Sequence, residues 1–168
     1  TGASHRLEMV RRCFLHQNCV TIDSQEVESQ SGSPNYSFDT LSKIRQNNQK
    51  IAFVIGTDQL ETLHKWHRFP EVLDLCHWIV LERGPEGAKK ARIYLYEWEA
   101  SNLAQACPEN SQTWELQGGT FLRLASTEAL NISSSEIREE IAKNGSPPKD
   151  SLLPSVWEYL RSEGLYGS

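Results

Sequence analysis

A chain of 168 residues can form one ordinary domain with a real core, and 38% hydrophobic with 23% charged residues excludes a disordered chain. No apolar run approaches the roughly 20 residues that a membrane-spanning helix needs, so no membrane partner is expected. A net charge of −5 without a compensating basic stripe argues against nucleic-acid binding, while leaving room for a local anion site.

In chain order, "SHRLEMVRRCFLHQ" predicts a helix, with Ser4 as its cap and Leu7, Val10 and Phe14 on one face. "CVTID" (19–23) reads as a short strand and "SQEVESQSGSPNYS" as a polar loop. "SFDTLSKIRQNN" spaces Phe38, Leu41 and Arg45 as a helix does. "KIAFVIGTDQ" (50–59) is a continuous apolar run ending at Gly56, the signature of a buried strand. "LETLHKWHRFPEVLDLCH" predicts helix, interrupted near Pro70, and "WIVLERG" (78–84) a second buried strand.

Strand, helix and strand in that order indicate an α/β class with a parallel sheet, whose binding sites lie beyond the strands' carboxyl ends. Gly56 and Asp58 occupy one such end. By themselves these residues are better explained by a simple turn at Gly56 with Asp58 capping the following helix.

Between 85 and 130 the pattern weakens. "ARIYLYEWEA" alternates like a strand, "SNLAQACPENSQ" reads as loop or short helix, and "TWELQGGTFLRLA" as a hairpin turning at Gly118-Gly119. Trp98 and Trp114 are read as packing residues. Pro154, Val156, Tyr159 and Leu160 give a terminal helix. The four cysteines, Cys13, Cys19, Cys76 and Cys107, form no CxxC pair, which fits reduced thiols and a cytoplasmic protein. The histidines of "HKWH", His64 and His67, lack further ligands at metal spacing.

The richest stretch is "NISSSEIREEIAKNG" (131–145). Ser133 with Glu136 forms a capping-box pattern, Ile137 and Ile141 give one apolar stripe, and Asn144-Gly145 ends the helix. Capping accounts for one serine. Ser134, Ser135 and Arg138 share a polar face, and hydroxyls with a guanidinium at a helix N-terminus suit phosphate.

These segments resemble a known family. "ISSSEIR" (132–138) is similar to the ISSTxIR motif of the nucleotidyltransferase superfamily. "IGTDQL…LHKWHRFPEVL" (55–73), "PNYSFDTL" (34–41), "SHRLEMV" (4–10) and "LPSVWEYLRSEGLY" (153–166) resemble, in order, elements of bacterial nicotinate-nucleotide adenylyltransferases. The resemblance implies a Rossmann-like nucleotidyltransferase fold and one domain over 1–168, with a family-atypical insert at about 85–128.

It also implies adenylyl transfer from ATP to nicotinate mononucleotide, with Mg²⁺ accompanying ATP, giving deamido-NAD and pyrophosphate. Ser133, Ser135 and Arg138 would hold the ATP phosphates, and Gly56 and Asp58 the nucleotide and its ribose. Trp66 would stack on the pyridine, and amides near Tyr36-Ser37 and at His67 would receive the nicotinate carboxylate. The superfamily's HxGH histidines are not in this sequence. It is therefore expected to represent the carboxyl-terminal three-quarters of such an enzyme, without its first strands and catalytic residues. The nearest alternatives are nicotinamide-mononucleotide and phosphopantetheine adenylyltransferases; a non-catalytic nucleotide-binding module is the alternative of a different class. Homo-oligomerisation stays open.

Overall fold

The computed structural model describes residues 1–28, 34–47, 50–127 and 133–167. Residues 29–33 of the expected polar loop, Asn48, and Asn131 and Ile132 ahead of the serines lie outside them. The chain divides into two compact units: Thr1–Ser33 with Leu130–Ser168, and Pro34–Ala129.

The central unit is built on a five-stranded sheet of order β1-β2-β5-β4-β3: β1 Ala52–Gly56, β2 His77–Arg83, β3 Ala104–Ala106, β4 Thr113–Leu116 and β5 Phe121–Thr127. The pairs β1–β2 and β2–β5 are parallel, whereas β5–β4 and β4–β3 are antiparallel. Strand β2 is central to the parallel part, and its Trp78 and Val80 are completely buried. The Trp78 indole N–H reaches the Leu73 carbonyl at 3.1 Å, so burial leaves no orphaned donor. Along β5, Leu122 and Leu124 face the core while Phe121 and Arg123 face outward, the two-residue period of a strand with one covered face.

Helix α5, Gly84–Ala100, buries Ala91, Leu95 and Trp98, and their spacing is that of one helical face. Here the structure corrects the expected strand at "ARIYLYEWEA". Its aromatic and β-branched residues alternate in sequence, but Ile93 and Tyr96 point to solvent. Helical periodicity of the buried set overrides strand propensity. Residues 101–112 contain the edge strand β3, three residues long and too short to leave a periodic signal. The hairpin does turn at Gly118-Gly119: Gly119 adopts φ +78°, and its N–H donates to the Leu116 carbonyl.

Helix α3, Ser37–Asn47, forms as expected, with the Tyr36 carbonyl accepting from the Asp39 and Thr40 amides at its start. After β1, helix α4 covers only Thr57–Thr62. A 3-10 turn, Leu63–Lys65, follows, then an irregular stretch through the cis Phe69–Pro70 bond and a second 3-10 segment, Glu71–Leu75. The α-helix thus ends at Thr62, well ahead of the proline, and only 3-10 turns follow before β2.

The terminal unit is helical. Helix α1, Ala3–Cys13, has Gly2 rather than Ser4 at its N-cap. Residues 19–23 are not a strand: Val20 and Ile22 line an apolar groove with Leu7 and Val10 of α1 and Phe14 just past its end, instead of joining a ladder. A short α2, Gln25–Glu28, follows. Helices α6, Ser134–Asn144, and α7, Pro154–Ser162, bury Ile141, Val156 and Leu160 together. Tyr159 of α7 bonds His5 Nδ1 at 2.8 Å and lies under the Arg12 guanidinium, joining α7 to α1. No helix among the described residues is long and apolar enough to cross a membrane.

Candidate active site

The carboxyl ends of the parallel strands are braced to one another. Thr57 Oγ1, just past β1, donates to the Leu81 carbonyl at 3.3 Å, and Ser126 Oγ on β5 donates to Glu82 Oε2 at 2.8 Å. Glu82 is almost wholly buried, and the register sets it opposite Ser126. Neither residue stood out in the sequence. The "WIVLERG" run reads as a buried strand, and only the pairing reveals Glu82's neighbour.

Gly56 ends β1 and caps α4, with Asp58 exposed in the helix's first turn. A Cβ on Gly56 would meet the end of the exposed Asp58 side chain, so glycine leaves room for this placement of the carboxylate. Gly56 and Asp58 both lie at the strand end where α/β sheets bind ligands.

Tyr36 and His67 are brought together. Their rings stack at 4.3 Å with an interplanar angle of 24°, and Phe38 meets His67 edge-on at 6.3 Å. Ser37 is the first residue of α3, where an amide has no partner inside the helix. Among the described residues, neither the Ser37 nor the His67 amide has a backbone acceptor outside regular elements.

Trp66 is half-buried. One edge packs against Phe53 (6.3 Å) and Trp78 (6.2 Å) in tilted, edge-to-face contacts, so part of the indole belongs to the core. The guanidinium of Arg68 lies over the Phe38 ring at 4.2 Å, a neighbour the sequence motifs did not single out.

In the terminal unit, α6 begins with both halves of a capping box. The Glu136 amide donates to Ser133 Oγ at 3.1 Å, and the Ser133 amide donates to Glu136 Oε2 at 2.7 Å. The Ser133 amide first, and its hydroxyl second, hold the Glu136 carboxyl below the usual carboxylate range. Arg138 Nη2 donates to Ser135 Oγ at 3.1 Å, and its guanidinium lies 6.0 Å from the Tyr166 ring. Ser134 and Arg138 edge a hollow of about 250 Å³ floored by Ile137, Ile141 and Val156. Two cationic groups, Arg6 and Arg138, border that hollow. The Ser133 hydroxyl is already an acceptor in the cap, leaving its proton and the following amides to face an anion.

Among the described residues no three His, Cys, Asp or Glu side chains converge as a metal site. Cys76 is buried, and burial pushes its thiol up to about 12. It stays protonated and unreactive near neutral pH.

Comparison with known proteins identifies the family and the fold. Residues 1–140 match the cytidylyltransferase-like family. The chain is 34% identical over 169 residues to a probable nicotinate-nucleotide adenylyltransferase of Serratia proteamaculans (strain 568), covering 98% of this chain and 73% of the relative. A protein of the same name from Pectobacterium atrosepticum is 34% identical over 168 residues, with 98% and 76% covered. The fold is also that of a Plasmodium falciparum nicotinic acid mononucleotide adenylyltransferase solved in complex with APC. The TM-score is 0.60 at 20% identity, with 99% of this chain and 76% of that one covered. The chain belongs to the cytidylyltransferase-like family and, within it, to the nicotinate-nucleotide adenylyltransferases.

Proposed function

We propose that this protein, acting with the HxGH histidines that the family resemblance expects outside this sequence, transfers the adenylyl group of ATP to nicotinate mononucleotide, forming deamido-NAD and pyrophosphate. The observation that carries the reading is the Tyr36–His67 ring stack. It sets two segments far apart in sequence side by side, one carrying the Ser37 amide and the other the His67 amide, with Trp66 the residue before His67. That is a flat aromatic wall beside backbone donors, the surroundings a pyridine carboxylate needs. The named relatives at 34% identity support the same substrate.

A phosphate oxygen of nicotinate mononucleotide attacks the α-phosphorus of ATP. The bond to the β-phosphate breaks, and pyrophosphate leaves. This chemistry needs no covalent intermediate with the protein, so its residues act by holding reactants in line and offsetting charge.

Ser133, Ser135 and Arg138 are assigned to the ATP phosphates, with Arg138 offering a two-pronged donor that lysine cannot copy. Gly56 and Asp58 are assigned to the nucleotide, the carboxylate accepting from a ribose hydroxyl. Tyr36, Ser37, Trp66 and His67 are assigned to the nicotinate ring and its carboxylate. A divalent cation, Mg²⁺ in this reading, enters on the ATP phosphates as part of the substrate. Both units are read as parts of one catalytic domain, because the family match over 1–140 takes in segments of each.

The test is pyrophosphate release by the native protein with ATP and, in turn, nicotinate mononucleotide, nicotinamide mononucleotide and phosphopantetheine. The highest kcat/KM is expected with nicotinate mononucleotide. Calorimetric ATP binding without turnover of any acceptor would favour the non-catalytic module instead.

A further inference from the structure

We propose that Arg68 determines specificity at this site: its guanidinium supplies the positive charge that favours a pyridine carboxylate over a pyridine carboxamide. The inference rests on the function proposed above and deepens it. Backbone N–H groups alone discriminate poorly between the two ligands, because a carboxamide oxygen accepts from them as a carboxylate oxygen does. Charge separates the ligands. A fixed cation attracts the carboxylate and gives the neutral amide much less.

Arg68 is such a cation. It follows His67 directly, and its guanidinium is seated on the ring of Phe38, which follows Ser37 directly, at 4.2 Å. The residues next to both candidate amides thus clasp each other, with Phe38 also edge-on to His67 and His67 stacked on Tyr36. The Arg68 backbone has φ +58°, in the left-handed region that few residues other than glycine adopt. Its acidic neighbour is Glu71, with Oε2 3.9 Å from Nε and both side chains about half exposed. A surface pair of that length is weak, so it leaves most of the cation's charge uncompensated. Cation–ring seating holds the group in place without neutralising it.

The experiment compares kcat/KM for nicotinate and nicotinamide mononucleotides in the native protein, Arg68→Gln and Arg68→Lys, with thermal unfolding as a control. Arg68→Gln is expected to lower the acid-to-amide ratio about 10-fold, through KM for the acid, while the amide changes less than about 2-fold. Arg68→Lys, which keeps the charge, should retain most of the ratio. Added salt should lower the native ratio and leave that of Arg68→Gln nearly flat. A purely structural role would depress both substrates together and leave the ratio unmoved, which overturns the assignment to Arg68 while the proposed function stands. A native protein that turns over neither mononucleotide overturns both.

Discussion

The two units bury their apolar residues very differently. The central unit collects a continuous core running from Leu41 through Trp78, Leu95 and Trp114 to Leu124, whereas among the described residues the terminal unit's core centres on Ile141, Val156 and Leu160. Helix α1 carries an apolar stripe like that of α5, yet none of its residues is buried, and Val10 and Phe14 are more than 40% exposed. An amphipathic stripe becomes core only where a broad surface opposes it. In the central unit the sheet supplies that surface; in the terminal unit only narrow helices do. The chemistry assigned to each unit follows the same division. The central unit offers aromatic walls and strand ends, and the terminal unit offers a capped helix end with a guanidinium.

The largest expected contrast is in core truncation. Trp78→Ala removes the largest fully buried side chain and should cost about 3–5 kcal/mol, read as a lower denaturant midpoint. Leu160→Ala, in the thin core, should cost about 2 kcal/mol, the low end for such changes, because a sparsely packed site can relax around the loss. Equal costs at the two sites would mean that the units are equally well packed, contrary to this picture.

A smaller effect concerns the cap. Ser133→Ala should cost about 1 kcal/mol. The Glu136 carboxyl is held below its ordinary range in the folded protein, so it stabilises when ionised. That contribution is present above the unfolded carboxyl's pKa and is lost as pH falls through the lowered folded value. Glu136→Gln should therefore flatten the acid side of the stability profile, and an unchanged profile would show that the capping box does not form in solution.

The mildest probe leaves the sequence intact. Cys13 and Cys19, both exposed in the terminal unit, should react with a thiol reagent within minutes at neutral pH. Cys76, buried in the central unit with its thiol raised to about 12, should react only on unfolding.

What was legible in the sequence follows from how local its signals are. The capping box at Ser133, the strands around Ile55 and Trp78, the glycine hairpin and the terminal helix all write their cause into a few adjacent residues, and each appears where expected. But β1 is not the buried strand its apolar run suggested: it lies at the edge of the sheet, with Ile55 buried and Val54 52% exposed. Helix α5 was hidden because Tyr94, Tyr96 and Trp98 mimic strand alternation, and only the sheet beneath decides which of them is covered. The supposed strand at 19–23 failed for the opposite reason: alternation without a partner strand makes no ladder. Among the candidate site residues, motifs pointed to Tyr36 and His67 separately, but their stacking is a tertiary fact. Arg68 over Phe38 and Ser126 on Glu82 belong to the same kind, being contacts between segments that no local pattern connects.

The central claim is that Arg138 serves ATP while Trp66 serves nicotinate mononucleotide. Steady-state kinetics of Arg138→Ala and Trp66→Ala, each titrated with both substrates, test it most directly, with Trp66→Phe controlling for the indole's share in the core. Arg138→Ala should lose about 2–3 kcal/mol of transition-state stabilisation measured against ATP, as expected for a charge-assisted contact. Arg138→Lys should remain impaired. Trp66→Ala should raise KM for nicotinate mononucleotide far more than KM for ATP, with Trp66→Phe partly restoring it. Folded variants that weaken both substrates equally, or an Arg138→Ala protein with native kcat/KM for ATP, would contradict the account.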